Sequence, residues 1–136
     1  MTDAVTVLQK ASIRPSVQRV AIYDYLCKMK NHPTADTVFL SLKDDYPTLS
    51  RTTCYNTLKL FEEKKIIQSI QIEDEAVRYD ADISNHLHFK CTKCGAVHDI
   101  FIKDTTLSRK IETNISQTYQ IDKIQTNIWG LCPDCR

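Results

Sequence analysis

The sequence is short of several things that would otherwise direct its reading. No apolar run approaches the roughly 20 residues of a membrane-spanning helix, which excludes such a helix. MTDAVTVLQK at the start has neither a basic opening nor an apolar core, so no secretory signal is expected there. Glycine occurs only twice in 136 residues, at Gly95 and Gly130, and neither an internal repeat nor a low-complexity linker is visible. The formal net charge is only +1, so composition alone does not announce a nucleic-acid binder. Without a secretory signal, the six cysteines read as metal ligands and spare thiols in a reducing cytoplasm rather than as a disulfide frame.

What is present is the composition of a soluble globular protein, 42% hydrophobic and 26% charged, long enough for one ordinary domain or two small ones. Charge is unevenly placed. Residues 1–72 carry ten Lys and Arg against seven Asp and Glu, after which Glu73, Asp74, Glu75, Asp80 and Asp82 cluster. A modest basic patch can therefore form on the first half.

Apolar spacing predicts four helices in that half. The first, over residues 3–12, rests on Val5, Leu8 and Ala11. The second follows Pro15 and uses Val17, Val20, Ala21, Leu26 and Met29. A third runs from about Ala35 to Asp44 behind Pro33-Thr34, burying Val38, Phe39 and Leu42. Ser50 is suited to cap a fourth that reaches about Lys65, with Cys54, Leu58 and Phe61 on its inner face. The β-rich IIQSIQIEDEAVRYD then predicts a hairpin, and helices followed by a hairpin give the order of a winged helix-turn-helix. Beyond Asp82, HLHFKC and VHDIFI read as strands, LSRKIETNISQTY as a helix on Leu107, Ile111 and Ile115, and IDKIQTNIWGLC as a third strand. The expected division is residues 1–80 and 81–136, an α+β chain whose second part is small enough to need support from a metal or a partner. Both glycines lie close to cysteine pairs, where tight turns are expected.

Cys91-x-x-Cys94 and Cys132-x-x-Cys135 are two knuckles with 37 residues between them. Four thiolates so arranged point to a closed, structural Zn(II) site, with paired redox dithiols as the alternative. No general base accompanies either pair, and four sulfurs leave no open coordination position. A second, harder donor set lies nearby. His86 and His88 alternate with Leu87 and so point to one side of a strand, while Asp99 is placed to meet them from the next. Asp80 sits at the junction, and His32, in the break before the third helix, reads by itself as a capping or surface residue. Three imidazoles and two carboxylates would suit Fe(II), Mn(II) or Zn(II). His98 points opposite Asp99 and reads as packed or interfacial; Cys27 and Cys54 read as core.

HPTADTVF from His32, LSRTTCYNTLKLFEEKKII from Leu49, RYD from Arg78, HLHFKCTKCG from His86 and the terminal CPDC together resemble the ferric uptake regulator (Fur) family over essentially the whole chain. The resemblance implies a winged-helix DNA-binding domain and an α/β dimerisation domain in a homodimeric, metal-dependent transcriptional repressor, not an enzyme. Within the family the residues are most similar to the peroxide-responsive repressors, whose regulatory site of three His and two Asp has counterparts at His32, Asp80, His86, His88 and Asp99. Asn56, after Tyr55, is also similar to that group. The hairpin departs from relatives in lacking a glycine, and Cys54 stands where Val is common.

On this resemblance the fourth helix enters the major groove of an inverted-repeat operator, with Arg51, Thr53, Tyr55 and Asn56 as contacts to bases or phosphates. Fe(II) or Mn(II) acts as corepressor. With Fe(II) bound, peroxide oxidises His32 or His86 and releases the DNA. Iron sensing without a peroxide response is the alternative within the family. A small non-haem metalloenzyme and a zinc-ribbon interaction module are the alternatives outside it.

Overall fold

The computed structural model describes residues 3–102 and 106–136. The chain divides into two compact units, Met1–Ile83 and Ser84–Arg136.

The first unit contains α1 (Ala4–Lys10), α2 (Val17–Met29), α3 (Ala35–Leu42) and α4 (Arg51–Glu63), followed by β1 (Gln68–Ile70) and β2 (Arg78–Asp80). Three of the helices start on hydroxyl caps. Ser16, Thr34 and Ser50 accept from the backbone N–H groups of Arg19, Thr37 and Thr53, which satisfies donors that a helix start leaves without partners. The core gathers Leu8, Ile22, Leu26, Val38, Leu58 and Phe61. Each such buried side chain is worth about 1.5–3 kcal/mol relative to exposure. Tyr23 meets Phe61 edge to face at 5.9 Å. Cys54, the expected core thiol of α4, is fully buried.

Helix α2 departs from the expected face. Val17 and Met29 are 74% and 54% exposed, and Ile22 and Tyr23 are buried instead. Val17 and Met29 are the first and last residues of the helix, where a three-residue spacing finds no neighbouring element to cover it. Strands β1 and β2 pair antiparallel with Ser69 opposite Tyr79, forming a wing whose tip is the acidic segment Glu73-Asp74-Glu75. The fold is a winged helix-turn-helix.

In the second unit β3 (Leu87–Cys91) lies between β4 (Val97–Ile100) and β5 (Asn127–Gly130), with α5 (Thr106–Ile115) in the connection. Strand β4 is antiparallel to β3 and β5 is parallel to it, so the long connection through α5 is what a parallel neighbour requires. The third strand is four residues long, shorter than the apolar pattern from Ile121 suggests. The side chain of Leu107 lies outside the described residues.

Only one of the two glycines serves a turn. Gly95 has φ of +77° in the first knuckle. Gly130 sits in β5, where a Cβ would come 3.2 Å from the Phe89 ring, so it allows a close approach within the strand packing instead.

Candidate metal centres and DNA-binding face

Cys91 ends β3, Cys94 follows in the turn before β4, and Cys132 and Cys135 follow β5. The parallel register sets Gly130 beside Cys91, and Thr92 N–H donates to the Gly130 carbonyl at 2.8 Å. That lock brings the two knuckles together, and the four sulfurs all lie within 4.8 Å of one another. A tetrahedral Zn–S bond of about 2.3 Å sets sulfurs about 3.8 Å apart; Cys94 Sγ and Cys132 Sγ are 3.9 Å apart. Backbone N–H groups of Cys94 and Cys132 each point at Cys91 Sγ at 3.5 Å. These amides, Cys132 first, lower the Cys91 thiol to about 5. Cys135 is pushed up to about 12, chiefly by the neighbouring Cys132 thiol. A cluster that favours one thiolate and opposes another is completed by a dication, and the donor set fits zinc. Cys27 and Cys54 take no part: burial raises both thiols, and Cys27 packs partly buried beside the core.

The harder donors form one group in each unit. In the second unit, Asp99 stands opposite His88 in the β3–β4 register. Its Oδ1 is 3.0 Å from His86 Nε2 and 3.4 Å from His88 Nε2. The two imidazoles meet edge to face with centroids 4.5 Å apart. His86 Nδ1 lies 2.7 Å from the Ser84 carbonyl, which can only accept, so this nitrogen carries the proton and Nε2 offers its lone pair. Phe101 stacks on the His86 ring at 4.9 Å. On the other side of His88, opposite it in β5, the Oδ1 of Asn127 is buried with no hydrogen-bond partner. Two nitrogens converging on a carboxylate, with a buried oxygen in the same row, fit a hard or borderline divalent cation. His98 faces away and is exposed.

In the first unit His32 Nε2 lies 3.6 Å from Asp80 Oδ2, and both side chains are buried. This is not the solvated helix start that His32 suggests by itself. Its backbone has φ of +49°, and its carbonyl accepts from Arg78 Nη1 at 3.1 Å. Sequence reasoning passed over Arg78, since its role depends on a contact 46 positions away.

Helix α4 presents Tyr55 and Asn56 to solvent. The Thr53 hydroxyl accepts from Ser50 Oγ at 2.9 Å as part of the cap. Arg51 is folded back against α3, paired with Asp36 and lying 4.7 Å over the Phe39 ring. Both charged groups are more than half exposed, so freeing Arg51 for a phosphate or base costs about 1 kcal/mol or less. An open cleft of about 670 Å³ between α2 and α4 is lined by Arg14, Ser16, Arg19, Thr53 and Asn56, among others. Arg14 and Arg19 extend the basic surface beside α4; uneven charge in the first half was their only signal.

The model of the ferric uptake regulator family matches residues 10–128. The chain belongs to the ferric uptake regulator family. Among the Fur-family relatives, the peroxide-responsive repressor PerR of Staphylococcus saprophyticus is 29% identical over 136 residues, covering 100% of this chain and 91% of that protein. The crystal structure of the Campylobacter jejuni peroxide stress regulator superposes with a TM-score of 0.71 at 26% identity, covering 96% and 94% of the two chains. The Vibrio cholerae ferric uptake regulator superposes at 0.74 and 22% identity, covering 96% and 100%, which is a likeness of fold. This Fur-family chain is thus a metal-dependent, DNA-binding transcriptional regulator of a dimeric class, not an enzyme. None of its described helices is long and apolar enough to cross a membrane.

Proposed function

We propose that this regulator is a peroxide-sensing repressor in which His32, Asp80, His86, His88 and Asp99 bind one Fe(II) or Mn(II) ion. The observation that carries the proposal is the convergence of His86 and His88 on one oxygen of Asp99, at 3.0 and 3.4 Å. This group contains no thiolate, so it favours an ion of different character from the zinc of the cysteine cluster. The buried His32–Asp80 pair supplies the remaining donors from the DNA-binding unit. An ion shared by both groups stabilises the DNA-competent arrangement only to the extent that it binds that arrangement better. Peroxide sensing, rather than iron sensing alone, is favoured by the peroxide-responsive repressors among the relatives and by the aspartate at position 99.

Bound Fe(II) supplies the chemistry that activates peroxide. The residues do the rest. His86 is oriented by Ser84 with Nε2 toward the donor group. His32 is tied to its own unit, so oxygen added to either ring removes a donor and loosens the hold between units. In net terms one peroxide oxygen enters the imidazole and the other leaves as water.

On DNA, Arg51, Thr53, Tyr55 and Asn56, joined by Arg14 and Arg19, read an inverted-repeat operator in the cytoplasm. Two recognition helices come from a homodimer, for which the second unit offers exposed Phe101, Ile102, Tyr119, Ile128 and Trp129. The experiment is mass spectrometry of the Fe(II) protein after brief peroxide exposure. A gain of about 16 Da, one oxygen atom, on a peptide holding His32 or His86 is expected. Loss of DNA binding with both peptides unmodified contradicts the mechanism.

A further inference from the structure

The wing and the His32–Asp80 pair are joined through one guanidinium. Arg78 Nε donates to Glu73 Oε1 at 2.6 Å, at the edge of the wing tip, while Nη1 donates to the His32 carbonyl at 3.1 Å. Arg78 and Asp80 are two residues apart on β2 and so point to the same face. The chain around His32 needs holding. Lys30 and His32 have φ of +47° and +49°, a left-handed region that L residues occupy only when their surroundings enforce it. Besides the Arg78 bond, the enforcement comes from Tyr79 N–H, which donates to the Pro33 carbonyl at 2.9 Å, and from a bridge between Thr34 and Arg78. Strand β2 thus carries one donor, clamps the loop of the other, and holds Glu73 at the far side of the wing.

We infer that Arg78 is a positioning residue that couples order in the wing to cation affinity at His32 and Asp80. The inference rests on the reading that these two residues are ligands. A guanidinium can serve both partners at once because its donors form a fixed fork; a lysine ammonium lacks that geometry. Both the Arg78 and Glu73 side chains are about one-fifth exposed, so the pair is less screened than an ordinary surface bridge. Coupling is reciprocal: what steadies Arg78 raises cation affinity, and a bound cation steadies the wing. Charge at Glu73 therefore tunes the regulatory site without touching it.

The test uses the full-length, zinc-loaded protein and Mn(II) as the probe. Mn(II) affinity is measured from the free-ion spin-resonance signal, and hydrogen exchange of residues 71–77 is followed with and without Mn(II). Arg78→Lys and Glu73→Gln are each expected to weaken Mn(II) binding about fivefold or more, the lower range of measured couplings. Both should reduce the Mn(II)-induced protection of the wing while leaving zinc content intact. In a His32→Ala background, adding Glu73→Gln should weaken binding no further, which a general loss of structure would not produce. Should Arg78→Lys fail to fold, Glu73→Gln and its His32→Ala pair decide the matter. If His32→Ala weakens Mn(II) binding while Glu73→Gln binds it as wild type does, the coupling is overturned and the ligand reading stands. Wild-type Mn(II) affinity in His32→Ala overturns the ligand reading, and the coupling with it.

Discussion

His86 donates through Nδ1 to the carbonyl of Ser84 at 2.7 Å, and this bond fixes which nitrogen the ring presents to Asp99. The acceptor is backbone, so no side-chain change at position 84 removes it. The tautomer is written into the two-residue turn that enters β3, and Nε2 is ready before the proposed cation arrives. Asp99 is the shared partner of both imidazoles and the residue whose change is most informative.

Asp99→Asn keeps the size of that side chain and removes its charge. Mn(II) affinity is expected to fall by at least about tenfold, the lower range for losing even an outer partner of a metal ligand. Zinc content should be unchanged, because the sulfur cluster shares no residue with the site. Parallel Mn(II) titration and zinc analysis of the purified variant check both expectations.

Zinc uptake should depend on proton release in a calculable direction. Within the cluster the amides aimed at Cys91 favour its thiolate, whereas the neighbouring thiols, Cys132 first, oppose ionisation of Cys135. Zinc binds thiolates and must displace the protons that the cluster still holds, so apparent zinc affinity rises with pH. Stripped protein titrated with saturating zinc in weak buffer should release protons, and fewer of them as the pH of the titration is raised. A second unit with little core of its own should also lose its fold when zinc is stripped, seen as loss of cooperative melting.

The proposed DNA-binding face gives a prediction in salt dependence. Arg14→Ala or Arg19→Ala should weaken binding to every sequence alike and lower the salt slope by about one. Asn56→Ala should instead relax specificity at particular positions, at about 1–3 kcal/mol for a lost base contact. Asp36→Ala releases Arg51 from its surface partner and is expected to leave affinity unchanged or slightly raised. Binding isotherms at several salt concentrations, on operator and scrambled DNA, separate these effects.

Much of the site was legible because its chemistry is local in sequence. Cys-x-x-Cys announces a zinc knuckle, and His86-x-His88 announces a shared strand face, whatever else the chain does. Ser50 before its apolar run marked the start of the fourth helix, and it caps α4 as expected. Illegible features depend on distant partners. Nothing adjacent to Arg78 announces the His32 carbonyl, and nothing adjacent to Arg51 announces Asp36 and Phe39. The parallel placement of β5 beside β3, which sets Asn127 opposite His88, follows from the crossover rather than from any strand's own pattern. Gly130 was misjudged for a related reason: what lies close to it is the Phe89 ring, not a turn. Val17 and Met29 show that periodicity overstates burial at helix ends.

The most direct test of peroxide sensing is operator binding by the zinc-loaded protein with Fe(II) or Mn(II), before and after low peroxide. Both ions should support binding beforehand. Afterwards the Fe(II) complex should release the DNA, with one oxygen gained on a His32 or His86 peptide, while the Mn(II) complex persists. Fe(II)-dependent binding that survives peroxide would contradict the proposal and leave a sensor of the metal alone.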